Sequence, residues 1–316
     1  MAAVRARAGP RAAVERLPSA PGVYRFRDDR GRVLYVGRAA DLRRRVGSYW
    51  GGLGDRGHVL RMVPRVDRIE AVACDSEYEA AWLERNLHER SLPRWNRARG
   101  GQEVPVYLCL DERPGSPGLG LVHAPTPSPG RRHFGPYLGR NRLRLAVSAL
   151  LRVMPLAYAG DRLAGFERDM ARVRGVSSAD RTALVAALSA VLERDLAAVA
   201  AFRTELERRR DAAAQDLAFE LAARVQAEIE AVDWILGEQR VTLAEPCDLD
   251  LHGWAGGVLL RFEVRTGRLC AWRQRRCAEA AARPLVEATP AAWAGFVSRN
   301  ATLAARLAES VQPSSA

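Results

Sequence analysis

Lysine is missing altogether: all 49 basic residues of this 316-residue chain are arginines. Beside so much Ala, Gly and Pro, that absence points to a GC-rich genome, and part of the arginine excess therefore records nucleotide composition. Cysteine is sparse. The five present (Cys74, Cys109, Cys247, Cys270, Cys277) are odd in number and scattered, with no CxxC pair. This excludes a disulfide framework and a four-cysteine zinc or iron–sulfur site, and it predicts a reducing compartment. Long apolar runs are lacking too. The longest, Leu184 to Leu192 and Leu196 to Phe202, fall well short of the ~18–20 residues that span a bilayer. The arginine-rich start, MAAVRARAGPRAAVERLPSAPG, has no apolar segment of the kind that directs secretion. A cytoplasmic chain without a membrane partner is the expectation.

What is present fits a globular protein: 48% hydrophobic and 27% charged residues exclude a disordered chain. The length suits about two domains at ~150 residues each. A net charge of +12 points to a polyanionic partner, nucleic acid or an acidic membrane surface.

Along the chain, Val23, Tyr24 and Phe26 precede the breaker Asp28-Asp29-Arg30-Gly31, and Val33 to Val36 follow it, so residues 21–37 read as two strands around a turn. Arg38 to about Tyr49 carries a helical pattern with Leu42 and Val46 at i, i+4. A third strand, Ile69 to Cys74, leads into Ser76-Glu77-Tyr78-Glu79, a capping box opening a helix that stops before Pro93. Strands Val106–Leu110 and Leu119–His123 bracket a Gly/Pro turn, and PTPSPG reads as a loop. Residues 140–237 are helical in texture, with a break near Val176-Ser177-Ser178. Strand patterns return over 249–264, followed by the turn Arg265-Thr266-Gly267, and a helix spans about Ala291 to Ala308. No internal repeat is found.

The block PGVYRFRDDRGRVLYVGRAADLRRRVGSYW carries the chemistry. Strand alternation turns Tyr24 and Tyr35 to one face if the hairpin register allows it. Gly37 is expected to open the helix and let backbone N–H groups approach an anion. Arg38, Arg45 and Tyr49, spaced by seven and four, share one face of that helix. Two guanidiniums beside three phenols suit a phosphodiester, since arginine grips phosphate oxygens and tyrosine can orient or deprotonate water. Taken singly, the same residues also read as core aromatics and a solvated arginine face. Farther on, Ala80, Leu83 and Leu87 form a core stripe with Glu84 at its border, where a carboxylate can hold a hard cation or serve as a surface partner of His88.

The block resembles the GIY-YIG nuclease family, in particular the N-terminal domain of the UvrC-type subunit of bacterial nucleotide excision repair. Gly22-Val23-Tyr24 and Tyr35-Val36-Gly37 stand for the two signature triplets. Leu42-Arg43-Arg44-Arg45-Val46 with Ser48-Tyr49 matches the helix of the catalytic arginine. EYEAAWLERNLHERSLPRWN resembles the segment with the metal-binding glutamate, here Glu84, and a late asparagine, here Asn96. His133-Phe134-Gly135-Pro136-Tyr137 looks like the FGPY that follows this domain. The resemblance implies catalytic roles for Tyr24, Tyr35, Arg38, Arg45, Tyr49 and Asn96, and one Mg²⁺ or Mn²⁺ on Glu84. Tyr35 would be general base or water-positioner, assisted by Tyr24, with the arginines and the metal lowering its pKa. Arg38 stands where this branch commonly has lysine.

ERRRDAAAQDLAFELAARVQAEIEAV resembles the UVR motif, a helical hairpin that docks on the helicase subunit UvrB, with Leu217, Phe219, Ala222, Ala223, Val225 and Ile229 at its apolar positions. Gln226-Ala227 stand where the motif usually carries Arg-Asp. The cysteine cluster common between FGPY and UVR segments is absent, so no iron–sulfur cluster is expected. DLDLHGWAGGVLLRFEVRTGRLCAWRQRRC resembles only the opening of the family's RNase H-like second nuclease domain.

The expected architecture is α+β. A basic tail (1–14) precedes a GIY-YIG domain (15–100) of three antiparallel strands flanked by helices, then a β/loop extension with the FGPY motif (101–139). A helical linker (140–203), a UVR-like hairpin (204–239), and a β remnant with a C-terminal helix (240–316) follow. The resemblance implies a repair endonuclease incising damaged duplex DNA on the 3′ side of a lesion, with a UvrB-like partner. The alternatives are a DNA- or UvrB-binding regulator of little or no catalytic power, and a nuclease that works without UvrB.

Overall fold

A charged turn makes the first sheet. Strands β1 (Gly22–Arg27) and β2 (Val33–Ala39) are antiparallel. Between them Asp28 accepts hydrogen bonds from the Arg30 and Arg32 backbone N–H groups at 3.1 and 2.8 Å, and Gly31 takes a left-handed φ of +75°, which a side chain would disfavour. Strand β3 (Arg68–Ala73) pairs with the other side of β1, giving the order β2-β1-β3, antiparallel throughout. The computed structural model describes residues 10–51, 61–96, 104–243 and 246–309.

Period-2 alternation divides β1 cleanly. Tyr24 and Phe26 enter an apolar core with Leu17, Leu42, Val46 and Tyr49, contributed in part by α1 (Pro10–Val14) and α2 (Leu42–Gly47). Arg25 and Arg27 point to the opposite face. Helix α3 (Glu77–Arg90) packs on β1 and β2. Its N-cap Ser76 accepts from the Glu79 N–H at 3.0 Å, while the Glu79 carboxylate reaches back to the Asp75 N–H at 2.7 Å, one residue earlier than in the capping box the sequence suggests.

The chain forms two compact units: residues up to 102 together with those from 237 onward, and residues 103–236. The boundary expected at 240 therefore does not begin a separate body. In the first unit, β7 (Leu249–Ala255), β8 (Val258–Arg265) and β9 (Arg268–Arg276) form a meander. Its two-residue turns, Gly256-Gly257 and Thr266-Gly267, have positive φ at both positions, the geometry that matches strand twist. Helices α9 (Glu279–Glu287) and α10 (Ala291–Glu309) follow. Leu303 and Leu307 of α10 belong to the same core as Tyr24 and Phe26. The Asn300 carboxamide bonds the Ala73 N–H at 2.7 Å and its C=O at 3.1 Å, closing the free edge of β3.

The second unit has its own sheet, β5-β4-β6, built from β4 (Val106–Asp111), β5 (Leu119–Val122) and β6 (Arg131–Tyr137). The FGPY residues lie within β6; the register pairs His133 and Phe134 with Cys109 and Leu108. Helices α4 (Arg140–Val153), α5 (Gly165–Arg174), α6 (Arg181–Leu192), α7 (Leu196–Gln215) and α8 (Phe219–Leu236) complete it. The expected helical break falls at Gly175, a left-handed C-cap with φ 64°. Helices α7 and α8 form a hairpin, turned at Leu217 with φ 56°. Its apolar residues divide: Val225 and Ile229 are buried in this unit, whereas Leu217 and Phe219 are 73% and 66% exposed. Ala222 is half-buried and Ala223 exposed. The six positions read together from the sequence therefore do not present one face.

Candidate active site

Three tyrosines meet on the core face of the first sheet. Cross-strand register places Phe26 opposite Tyr35, so Tyr24, Phe26 and Tyr35 share that face, and Tyr49 arrives from just beyond α2. The ring centroids of Tyr24, Tyr35 and Tyr49 lie 6.0–6.2 Å apart, around Phe26 at 5.1–6.1 Å from each. The Tyr24 and Tyr49 hydroxyls are hydrogen-bonded at 2.7 Å. The Arg45 guanidinium lies 5.5 Å from the Tyr49 ring, a cation–π distance.

Gly37 does not open the helix as expected. It lies inside β2, and a Cβ there would come within 2.7 Å of the Tyr24 hydroxyl and of Tyr35 Cε1. The glycine of the second triplet leaves the space those two rings occupy. Gly22 is similarly confined, since a Cβ would strike the Val72 carbonyl and Leu42.

Arg38 is also relocated. It belongs to β2, and α2 begins only at Leu42, capped by Asp41, whose carboxylate accepts from the Arg44 N–H at 2.8 Å. Arg38, Arg45 and Tyr49 are thus gathered by a strand–turn–helix path and not by one helical face. The sequence pattern over 38–49 was compatible with both, because the short turn hides in a run of helix-forming residues.

Glu84 sits where the core stripe predicts, its side chain 19% exposed beside fully buried Ala80 and Leu83. Its carboxylate accepts from the Arg38 backbone N–H at 3.1 Å and stands 3.4 Å from Arg38 Nε. Burial raises its pKa, against the opposing pull of Arg38 and Arg45. His88, read as an alternative surface partner, is buried. Among the described residues no group of three or more His, Cys, Asp or Glu gathers that could cage a metal. A lone carboxylate nevertheless suits Mg²⁺ or Mn²⁺, ions that keep much of their water and share substrate phosphate oxygens. One cation, the Arg38 guanidinium, already stands against it.

Electrostatics correct one expectation. Burial pushes the Tyr35 phenol well above its ordinary value of 10.0, with the neighbouring Tyr49 adding to the rise and Arg45 only partly opposing it. Tyr24 is raised as well, again chiefly by burial. Arg45 lowers both phenols without offsetting the rise that burial causes. Asn96 bonds to the edge of β2. Its Oδ1 accepts from the Val36 N–H at 3.0 Å and its Nδ2 donates to the Val36 C=O at 2.7 Å. With both ends of its carboxamide engaged by β2, it ties down the strand bearing Tyr35. Asn96 and Asn300 together close both edges of the sheet, a pairing across distant sequence that no local pattern signals.

Comparison with known proteins agrees with the motif reading. A family described as the UvrC-like GIY-YIG domain matches residues 20–97. UvrABC system protein C of Nocardia farcinica is 34% identical over 271 residues, covering 80% of this chain and 40% of that protein. The Rhodococcus erythropolis protein of the same name is 34% identical over 277 residues, 82% of this chain and 38% of its own. The chain thus spans about two fifths of the length of these relatives. The crystal structure of the GIY-YIG N-terminal endonuclease domain of UvrC from Thermotoga maritima, bound to magnesium, is 32% identical, covering 27% of this chain and 93% of that one at a TM-score of 0.25. Residues 20–97 are accordingly a UvrC-like GIY-YIG domain, carried by a chain similar to UvrABC system protein C over 80% of its length.

Proposed function

We propose that the chain is a DNA endonuclease of the nucleotide excision repair type, hydrolysing a phosphodiester at the tyrosine–arginine–glutamate site with one divalent cation. The convergence of Tyr24, Tyr35, Tyr49 and Arg45 beside the lone carboxylate of Glu84 carries this reading. Glu84 would hold Mg²⁺ or Mn²⁺, which polarises the phosphate and stabilises the leaving oxygen. Tyr35, held protonated by burial, orients the attacking water by hydrogen bonding, and the Tyr24–Tyr49 hydroxyl pair fixes the polar rim around it. Arg45, anchored over Tyr49, supplies a preorganised charge for the equatorial phosphate oxygens. Arg38 is half-exposed, and when a metal takes Glu84 it is free to turn to the phosphate.

Incision on the 3′ side of a lesion and recruitment by a UvrB-like helicase belong to the same proposal. The exposed Leu217 and Phe219 at the turn of the α7–α8 hairpin support the docking reading, since a solvated apolar tip is what a partner helix would cover. Val225 and Ile229 serve packing instead. The test is nicking of lesion-bearing duplex by the purified chain with Mn²⁺, with and without a UvrB protein from the same cell. Metal-dependent nicking stimulated by UvrB supports the whole reading. Nicking indifferent to UvrB leaves an independent nuclease, and binding without nicking leaves a regulator.

A further inference from the structure

The face of the nuclease sheet opposite the tyrosines carries a second cluster of charge. Arg25 and Arg27, the alternate residues of β1, border a cavity of about 190 Å³ whose other walls come from α3 and β9. Arg90 and Arg273 complete its ring of guanidiniums, over a floor that includes Val36, Leu87 and Trp272. At Arg90 and Cys270 it adjoins a second, more open cavity of about 390 Å³ bordered by Arg265 and Arg268.

The charges around the first cavity do not cancel. Arg25 is fixed: it pairs with Glu70, donates to the Trp272 carbonyl at 3.0 Å, and stacks 3.9 Å from the Trp272 ring. Arg27 shares Glu70 at 2.8 Å. Arg90 and Arg273 share Glu263, at 2.9 and 3.5 Å. Four guanidiniums thus face two buried carboxylates, and the outer pair reaches solvent, with side chains 45% and 70% exposed for Arg90 and Arg273. Fixed charge at the base and half-free arginines at the mouth suit a phosphate arriving from solvent.

Position links this cleft to the active site. Glu84 and Arg90 lie on the same helix, six residues or about 9 Å of rise apart.

We propose that this arginine cleft is an accessory DNA-backbone site, holding phosphates of the DNA on the sheet face opposite the tyrosines. It rests on the nuclease reading for its substrate but concerns different residues. It also assigns a function to the C-terminal strands, which supply Trp272, Arg273, Arg265 and Arg268.

The test uses the full chain and a labelled nicked duplex in EDTA, with affinity measured from 50 to 200 mM salt. In an R90Q/R273Q variant glutamine keeps a donor for Glu263 while removing the charge. The salt slope should become shallower by one to two units, from a loss of about 0.9 per phosphate contact. Single-turnover nicking at saturating DNA should stay at the wild-type rate. R273Q alone, at the more exposed position, should give part of the effect and covers a folding failure of the double variant. R208Q/R210Q, removing the same charge from the surface of α7, should leave the slope unchanged. An unchanged slope in R90Q/R273Q, or an equal change in both double variants, overturns the proposal. So does specific binding of inorganic phosphate alone by the wild type with no effect of R90Q/R273Q on DNA. Absence of nicking in the wild type would instead count against the nuclease reading, whatever the slopes.

Discussion

Single atoms decide much of the candidate site. A methyl group at residue 37 would occupy the space of the Tyr24 hydroxyl and the Tyr35 ring. Gly37→Ala should therefore lower the thermal midpoint, with overpacking costing about 1–3 kcal/mol, and displace the tyrosines enough to suppress nicking. Calorimetry and a nicking assay on the same preparation check both effects. Glu70 gives the pH dependence. Burial alone would raise its pKa, but Arg25 and then Arg27 outweigh it, and the folded-state value lies below the ordinary 4.5. Between the two values the unfolded chain binds more protons, so this contribution is present above about pH 4.5 and is lost as pH falls through the folded value. Glu70→Gln should flatten the acid limb of thermal midpoint against pH. It should also destabilise at neutral pH by about 3–5 kcal/mol, because Arg25 would be left buried without its counter-charge.

At the scale of elements, the sequence disclosed local features and missed those joining distant segments. The hairpin around Asp28–Gly31, the third strand, the Ser76 cap and the border position of Glu84 all follow from periodicity and turn chemistry within a dozen residues. The start of α2 was misread because residues 38–41 have no strong breaker, and Gly37 was assigned to an anion-binding turn when its neighbours across the sheet dictate it. Asn96 and Asn300 could not be read at all. Each replaces a missing strand partner, and the latter does so 227 residues from Ala73. Asn300→Ala strips the partners from both backbone groups of Ala73 and should cost about 1–3 kcal/mol for each group left buried and unsatisfied, read as a drop in denaturation midpoint. In the α7–α8 hairpin the outcome should split by burial. Phe219→Ser should leave stability within about 0.5 kcal/mol, as for exposed sites generally, and weaken capture of a UvrB protein. Ile229→Ser should destabilise the chain through lost core packing.

For the whole molecule, an N-terminal nuclease domain and a C-terminal segment share one compact unit. Motif reading treated the latter as a remnant, because it matched the opening of a second nuclease domain; packing gives it another use, closing the β3 edge and filling the core with Leu303 and Leu307. A chain cut after Leu236 should thus lose the cooperative unfolding of its nuclease domain, seen as a broadened thermal transition. Net charge of +12 is ambiguous in an all-arginine chain; in the cleft, Arg25, Arg27, Arg90 and Arg273 outnumber the carboxylates of Glu70 and Glu263. The proposed hydrolysis of DNA at the tyrosine face has a direct readout. The most direct measurement is single-turnover nicking of lesion-bearing duplex in Mn²⁺, with UvrB present, by the wild type and by Tyr35→Phe at matched DNA occupancy. Metal-dependent nicking by the wild type is expected if the tyrosine face hydrolyses DNA, with a loss of about 10²–10⁴-fold on removal of the one hydroxyl and DNA affinity unchanged. Equal rates for the two proteins would contradict it.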